Sequence, residues 1–115
     1  MFFKGELHGA IIHHNAVKSP AGEGPGILVL SRTSAENTLE SNDIDLSGVR
    51  HGSGIDYRGL QAQITGNRVL NAPEDGISVE AATEARVEGN TITHAGRRTI
   101  APGGMGNTVR DNVER

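Results

Sequence analysis

The residues best suited to chemistry lie in the middle of the chain, where Arg50 and His51 come shortly before Asp56 and Arg58. An imidazole or a carboxylate can act as a general acid or base, and a guanidinium can bind a sugar carboxylate through two parallel hydrogen bonds. We therefore take His51 and Asp56 as candidate catalytic residues. Arg50 and Arg58 are candidate substrate-binding residues, suited to an acidic polysaccharide.

Lys18 and Asp45 extend this set of candidate substrate-binding residues. In the stacked repeat described below, Lys18 would lie beside Asp45, and Arg68 beside Asp43. Acids with such cationic neighbours are often only surface ion pairs, which contribute little to stability. Surface pairing is thus the alternative to a binding role. Arg97 and Arg98 are expected to form a solvated turn, with contact to an anionic glycan as the alternative.

Metal ligands are sparse in this sequence. Because neighbouring residues of a strand point to opposite faces, we expect the rings of His13 and His14 to point apart and not to share a metal ion. Without Cys, the chain can form neither thiolate sites nor disulfides. We predict no metal and no other cofactor. The alternative is Ca²⁺, which takes oxygen ligands and could use Asp43, Asp45 or Asp56.

The composition limits the fold and the partners. A length of 115 residues allows one domain, and only 3% of the residues are aromatic, with no Trp. The net charge of −3 gives no reason to expect a nucleic acid or an anionic membrane as a partner. No apolar run approaches the length of a membrane span, so membrane insertion is not expected. The first four residues are too short a stretch to be a secretory signal.

A five-fold internal repeat must position these side chains. An aliphatic residue followed three places later by Asn recurs every 22 to 27 residues, with the Asn at positions Asn15, Asn42, Asn67, Asn90 and Asn112. A repeat of this length is typical of a solenoid, in which each coil stacks on the previous one. We expect the Asn residues to be structural, since Asn tolerates the left-handed conformation of a tight bend and stacked amides can hydrogen-bond between coils.

Short apolar and polar alternations within each repeat predict strands. No segment shows a sustained helical period, so the predicted fold class is all-β. Corresponding strands would pair in parallel at about 4.8 Å and place aliphatic residues inside. The three predicted ladders are Ile12, Leu39, Ile64, Val87 and Val109; Val17, Ile44, Val69 and Ile92; and Ile27, Ile55, Ile77 and Ile100.

The cleanest copy of the repeat, Ala85-Arg86-Val87-Glu88-Gly89-Asn90-Thr91-Ile92, resembles the right-handed parallel β-helix repeat of the pectate-lyase-like superfamily. The resemblance covers the chain from about residue 8 onward. It implies a right-handed parallel β-helix (solenoid) of about five coils, a polysaccharide or glycan as partner, and an extracellular, cell-surface or periplasmic location. The Asp-Pro-His triplet of alginate epimerases and the linked acidic motifs of polygalacturonases are missing.

Three functions fit these observations. We predict a polysaccharide-interacting β-helix module, used for recognition or structure, without firmly indicated catalysis. One alternative is a fragment or core of a polysaccharide lyase, epimerase or hydrolase, and another is a purely architectural assembly repeat. The first two coils carry longer segments between the Asn and the next Ile, of 12 and 13 residues against 10 in the later coils. Longer loops on one face of a solenoid often form the binding face.

We predict a single β-helix domain over residues 1–115, with residues 1–8 as an N-terminal cap and residues 9–115 as the repeats. Phe2 and Phe3 would close the first coil. At the other end, Glu114 occupies a position where an inward aliphatic residue is expected. An uncovered last coil exposes unpaired strand edges, so we expect a homo-oligomer or capping by another domain.

Overall fold

A computed structural model describes residues 2–3, 7–18, 22–30 and 35–115; of residues 2–3 and 22–23 it describes only the backbone. These residues contain strands and turns but no helix, and therefore none long and apolar enough to cross a membrane. Three five-stranded parallel sheets run along a β-solenoid of about four turns. The predicted all-β solenoid is confirmed, and its coil number is close to the five predicted; the right-handed sense stays a prediction.

Each coil contributes one strand to each sheet in the order A, B, C. Sheet A contains Phe2–Phe3, Ile27–Val29, Ile55–Tyr57, Ile77–Ser78 and Ile100–Ala101. Sheet B contains Ile11–His13, Thr38–Glu40, Gln63–Thr65, Arg86–Glu88 and Thr108–Arg110. Sheet C contains Ala16–Lys18, Asp43–Asp45, Arg68–Ala72, Thr91–Ala95 and Val113–Glu114. Because Phe2–Phe3 already pairs with Leu28–Val29, the backbone there is part of the stack. The proposed capping by the Phe side chains lies outside the described residues.

The three aliphatic ladders have the predicted register. Ile12, Leu39, Ile64, Val87 and Val109 are successive partners in sheet B, and the other two ladders pair in the same way in sheets C and A. Side chains in the middle coils are fully buried, whereas Val109 in the last coil is 36% exposed. Glu114 is the partner of Ile92, as expected, and its carboxylate accepts a hydrogen bond from the Thr99 hydroxyl at 2.8 Å.

The Asn side chains at the corner between sheets B and C hydrogen-bond from coil to coil. Nδ2 of each Asn donates to Oδ1 of the next, at 2.9 to 3.0 Å. The left-handed conformation, however, belongs to the residue before each Asn and not to the Asn itself. The residues with positive φ at this corner are His14, Ser41, Gly66, Gly89 and Asp111. The Asn residues therefore occupy the corner for their amides.

The two longer loops form an additional parallel pair, Gly22–Glu23 with Val49–His51, between sheets C and A. Leu46 and Val49 of the second loop are buried against the core. This packing fixes the backbone that leads through His51 into the strand Ile55–Tyr57. The longer loops thus extend the stack along the edge of sheet A.

The corner between sheets A and B contains a polar contact that the repeat did not predict. Asn37 and Asn107 lie five residues before Asn42 and Asn112, whereas the intervening coils have Ala62 and Ala85. The buried hydroxyl of Tyr57 accepts from Asn37 Nδ2 at 3.0 Å and donates to the Leu60 carbonyl at 3.0 Å. Burial is the main reason that the pKa of Tyr57 is raised.

Candidate functional site

A polar groove runs across successive coils beside sheet A. One part, with a volume of about 380 Å³, is lined by Gly24, Pro25, His51, Gly52, Ser53, Asp56, Arg58 and Glu74. A neighbouring part of about 230 Å³ shares Ser53, Asp56, Arg58 and Glu74 and extends to Asp75, Ser78, Glu80, Ala81 and Arg97. The groove therefore spans four coils, a distance of roughly 14 Å given a spacing of about 4.8 Å per coil.

Three of the predicted site residues line this groove. His51 is the exposed last residue of the strand Val49–His51. Asp56 faces outward because its neighbours Ile55 and Tyr57 are buried, as strand alternation requires. Arg58 follows the strand and binds Asp56, with Nη2 2.9 Å from Oδ2 and Nε 3.3 Å from both carboxylate oxygens. This hydrogen bonding is the main cause of the raised pKa of Arg58.

The Asp56–Arg58 pair changes what the groove can bind. An acidic sugar would have to displace Asp56 from Arg58 before the guanidinium could bind a sugar carboxylate. The groove also contains Glu74, Asp75 and Glu80, so its carboxylates outnumber its guanidinium groups. Hydrogen-bonding groups of both kinds are available for hydroxyl groups, while the balance of charge disfavours anions.

The other three predicted residues are not among those that line the groove. Arg50 is exposed on the strand Val49–His51. Lys18 and Asp45 are partners in sheet C, as predicted. Asp45 Oδ1 accepts hydrogen bonds from the Ser47 hydroxyl at 2.6 Å and the Ser47 N–H at 2.9 Å. These bonds to Ser47 are the main reason that the pKa of Asp45 is lowered, with a smaller contribution from Lys18.

A buried acid at the edge of the groove was missed by sequence reasoning. Asp75 is fully buried, and Arg97 binds both of its oxygens at 2.7 and 3.1 Å, while Arg98 lies 3.4 Å away and also binds Glu80. Burial raises the pKa of Asp75, but the hydrogen bonds and charges of Arg97 and Arg98 outweigh it and lower the pKa overall. Arg97 and Arg98 are exposed at a bend, as expected, but they also bind Asp75, which the sequence did not predict. The signal was the separation of 22 residues between Asp75 and Arg97, which is one coil.

Glu74 connects the groove to the longer loop of the preceding coil. Its carboxylate accepts a hydrogen bond from the Gly52 N–H at 2.6 Å. The Glu74 N–H donates in turn to the Gly52 carbonyl at 3.2 Å. The floor of the groove beside His51 is therefore held by hydrogen bonds between coils.

The prediction that the rings of His13 and His14 point apart is wrong. Their Nδ1 atoms are 2.7 Å apart, and the ring centroids are 4.9 Å apart. Strand alternation fails here because His14 has left the strand and adopts a left-handed conformation with φ of 52°. A change of backbone region between two residues rotates the second side chain toward the first.

The candidate Ca²⁺ ligands are not brought together. Asp43 and Asp45 lie on sheet C, whereas Asp56 lies on sheet A and is bound by Arg58. In the part of the chain that the structure describes, no group of three or more His, Cys, Asp or Glu side chains could hold a metal ion. His13 and His14 are the two imidazoles there whose nitrogens are in direct contact.

Residues 5–113 match the family described as "Periplasmic copper-binding protein (NosD)". No curated protein and no solved structure matches the chain. The described residues contain no group of three or more His, Cys, Asp or Glu side chains that could hold copper. The contacting imidazoles of His13 and His14 could supply two copper ligands. Because the match covers almost the entire sequence, the chain belongs to the NosD family of parallel β-helix proteins.

Proposed function

We propose that this domain is a periplasmic β-helix module that binds a polysaccharide in the groove beside sheet A without cleaving it. The observation that supports this function is the continuity of the groove over four coils, from Gly24 and Pro25 to Arg97. A linear polymer can lie along such a groove and contact each of the four coils. The resemblance of the repeat to the pectate-lyase-like superfamily supports the same class of ligand.

The charges in the groove favour a neutral polysaccharide over an acidic one. Arg58 and Arg97 are both engaged by acids of the groove, Asp56 and Asp75. Tyr57, whose strand borders the groove, is fully buried and cannot stack on a sugar. Binding would therefore rest on hydrogen bonds to hydroxyl groups, and we expect it to depend on several sugar units bound at once.

The test is a binding assay with purified neutral and acidic polysaccharides, combined with detection of new reducing ends and unsaturated sugars. We expect a neutral polysaccharide to bind without product. Arg58→Ala should weaken this binding, since it removes a groove side chain and releases Asp56. Arg50→Ala is the matched control, because Arg50 is exposed nearby but does not line the groove. Equal effects of the two substitutions would exclude the groove as the site, and product formation would refute the non-catalytic function.

A second candidate function is the binding of copper, which the family description suggests. It is favoured by the 2.7 Å separation between the Nδ1 atoms of His13 and His14, since imidazole nitrogens are good copper ligands. Bound copper would supply a redox-active, Lewis-acidic ion at the protein surface. Titration of the whole chain with Cu²⁺ tests this function, and an absence of binding above that of a His-free protein of similar charge would exclude it.

A further inference from the structure

We propose that His13 and His14 form a surface copper site with two imidazole ligands, at the corner between sheets B and C in the first coil. This inference rests on the second candidate function above and assigns it to particular residues. The site is on a different part of the solenoid from the groove beside sheet A.

The backbone holds the two rings together. His13 ends the strand Ile11–His13, and its partner in sheet B is Glu40. The His14 N–H donates to the carbonyl of Glu40 at 3.3 Å, which attaches the left-handed residue to the next coil. The rings meet edge to face, at 81°, with Nδ1 facing Nδ1. The contact thus follows from the path of the main chain as well as from side-chain rotation.

The same corner in the other coils shows that this pair is particular to the first coil. The equivalent residues are Glu40 with Ser41, Thr65 with Gly66, Glu88 with Gly89, and Arg110 with Asp111. Gly fills the left-handed position in the third and fourth coils, where it adopts this conformation without steric cost. A His there costs more than Gly, although His is more tolerant than most residues. Stability of the corner therefore gives no reason for two adjacent imidazoles.

The chemistry of the pair suits a late first-row transition ion. Two imidazole nitrogens 2.7 Å apart cannot both carry a proton toward each other, so one N–H donates to the other nitrogen's lone pair. To offer both Nδ1 lone pairs to a metal ion, the ring that carries this proton would adopt its other neutral tautomer, with the proton on Nε2. Among divalent ions of this series, Cu²⁺ binds such ligands most strongly.

The surroundings of His13 and His14 would allow a bound copper ion to exchange with solvent or with another molecule. His13 and His14 are both exposed, and the described residues add no third ligand to form a closed group. The remaining coordination positions would be filled by water or by a ligand from another molecule. Such a site suits the uptake and release of copper better than permanent storage.

The experiment is titration of the full chain with Cu²⁺ by calorimetry, with electron paramagnetic resonance to count the coordinated nitrogens. His13→Asn and His14→Asn each remove one ligand, and Asn tolerates the left-handed corner. His94→Asn is the matched control, because His94 is also exposed and also has a positive φ, of 59°, but has no neighbouring His. Circular dichroism of each variant verifies that the fold is intact.

We expect each of the His13 and His14 variants to bind Cu²⁺ more weakly, by at least the roughly 10- to 100-fold that loss of an outer-shell partner causes at other metal sites. His94→Asn should bind like the wild type. If the wild type binds copper and the His13 and His14 variants bind it equally well, the site is wrong although the copper function stands. An equal loss in His94→Asn would also refute the site, and no binding by the wild type would refute both.

Discussion

Asn67 is the side chain whose removal should test the stack most directly. It is fully buried in the middle coil and makes four side-chain hydrogen bonds. Its Oδ1 accepts from the Asn42 N–H at 3.0 Å and from Asn42 Nδ2 at 2.9 Å. Its Nδ2 donates to the Leu39 carbonyl at 2.9 Å and to Asn90 Oδ1 at 3.0 Å. We predict that Asn67→Ala is among the most destabilising single substitutions in this chain.

The size of the effect follows from the groups that lose a partner. Asn42 Nδ2 would still donate to the Ile12 carbonyl, and Asn90 Oδ1 would still accept from the Asn67 N–H. The Asn42 N–H would be left without a partner, whereas the Leu39 carbonyl would lose the bond to Asn67 but keep the sheet bond from the Thr65 N–H that the parallel register requires. At about 1–3 kcal/mol for the buried N–H left without a partner and about 1 kcal/mol for the bond that the Leu39 carbonyl loses, the loss in unfolding free energy should be about 3 kcal/mol. A domain of this size has only about 5–15 kcal/mol in total.

Asn15→Ala is the control, because Asn15 belongs to the same ladder but lies in the first coil. Its side chain is half-buried and donates one hydrogen bond, to Asn42 Oδ1 at 3.0 Å, and that oxygen also accepts from the Asn15 N–H. The loss should therefore be about 1 kcal/mol or less. Urea denaturation followed by far-ultraviolet circular dichroism measures both values.

A second substitution distinguishes hydrogen bonding from loss of volume. Asn67→Asp keeps the size of the side chain but replaces the donor Nδ2 with an oxygen that faces the Leu39 carbonyl and Asn90 Oδ1. We expect it to be at least as destabilising as Asn67→Ala at neutral pH. Equal stabilities of the Asn67→Ala and Asn15→Ala variants, or a milder effect of Asn67→Asp, would refute the argument.

Three further substitutions have defined outcomes. Asp75→Asn should lower the unfolding free energy by about 1–3 kcal/mol at pH 7. Because folding lowers the pKa of Asp75, its contribution is present above the unfolded pKa of about 3.9 and disappears as the pH falls through the folded pKa. The difference from wild type in urea denaturation should therefore shrink near pH 3, and a constant difference would contradict this. Gly54→Ala should cost about 1–3 kcal/mol, measured by thermal denaturation, because its Cβ would overlap Val69 and the Gly76 carbonyl; an unchanged melting temperature would contradict the packing. Tyr57→Phe should cost about 1–3 kcal/mol in the same assay, since the buried hydroxyl bonds to Asn37 and to the Leu60 carbonyl.

The aliphatic ladders were predictable because both of their determinants are local in the sequence. Alternation with period two decides which residues of a strand face inward, and the repeat length decides which residues become neighbours. The register of Ile12, Leu39 and Ile64 follows from these two rules. The same rules correctly paired Lys18 with Asp45, since that pair also lies within the strands.

The corners could not be predicted in the same way. At the His13–His14 corner a single left-handed residue reverses the side-chain direction that alternation predicts. The positions of Asp75 and Arg97 depend on how two corners of neighbouring coils face each other, although they are 22 residues apart in sequence. Tyr57 hydrogen-bonds to Asn37, whose equivalent position is Ala in the next two coils. The repeat therefore contains no recurring residue that would predict this contact.

The sequence by itself determined the all-β solenoid, its repeated corners and the composition of its core, because these depend on periodicity and on contacts between equivalent positions. The tertiary structure decided which polar side chains meet: it joined His51, Asp56 and Arg58 in one groove, left Lys18 and Asp45 on another sheet, and brought His13 to His14. The physical reason is that a polar contact between elements depends on φ at each corner and on the side-chain directions there. The left-handed φ recurs from coil to coil, but the side chain at that position changes, and so do its direction and its partners.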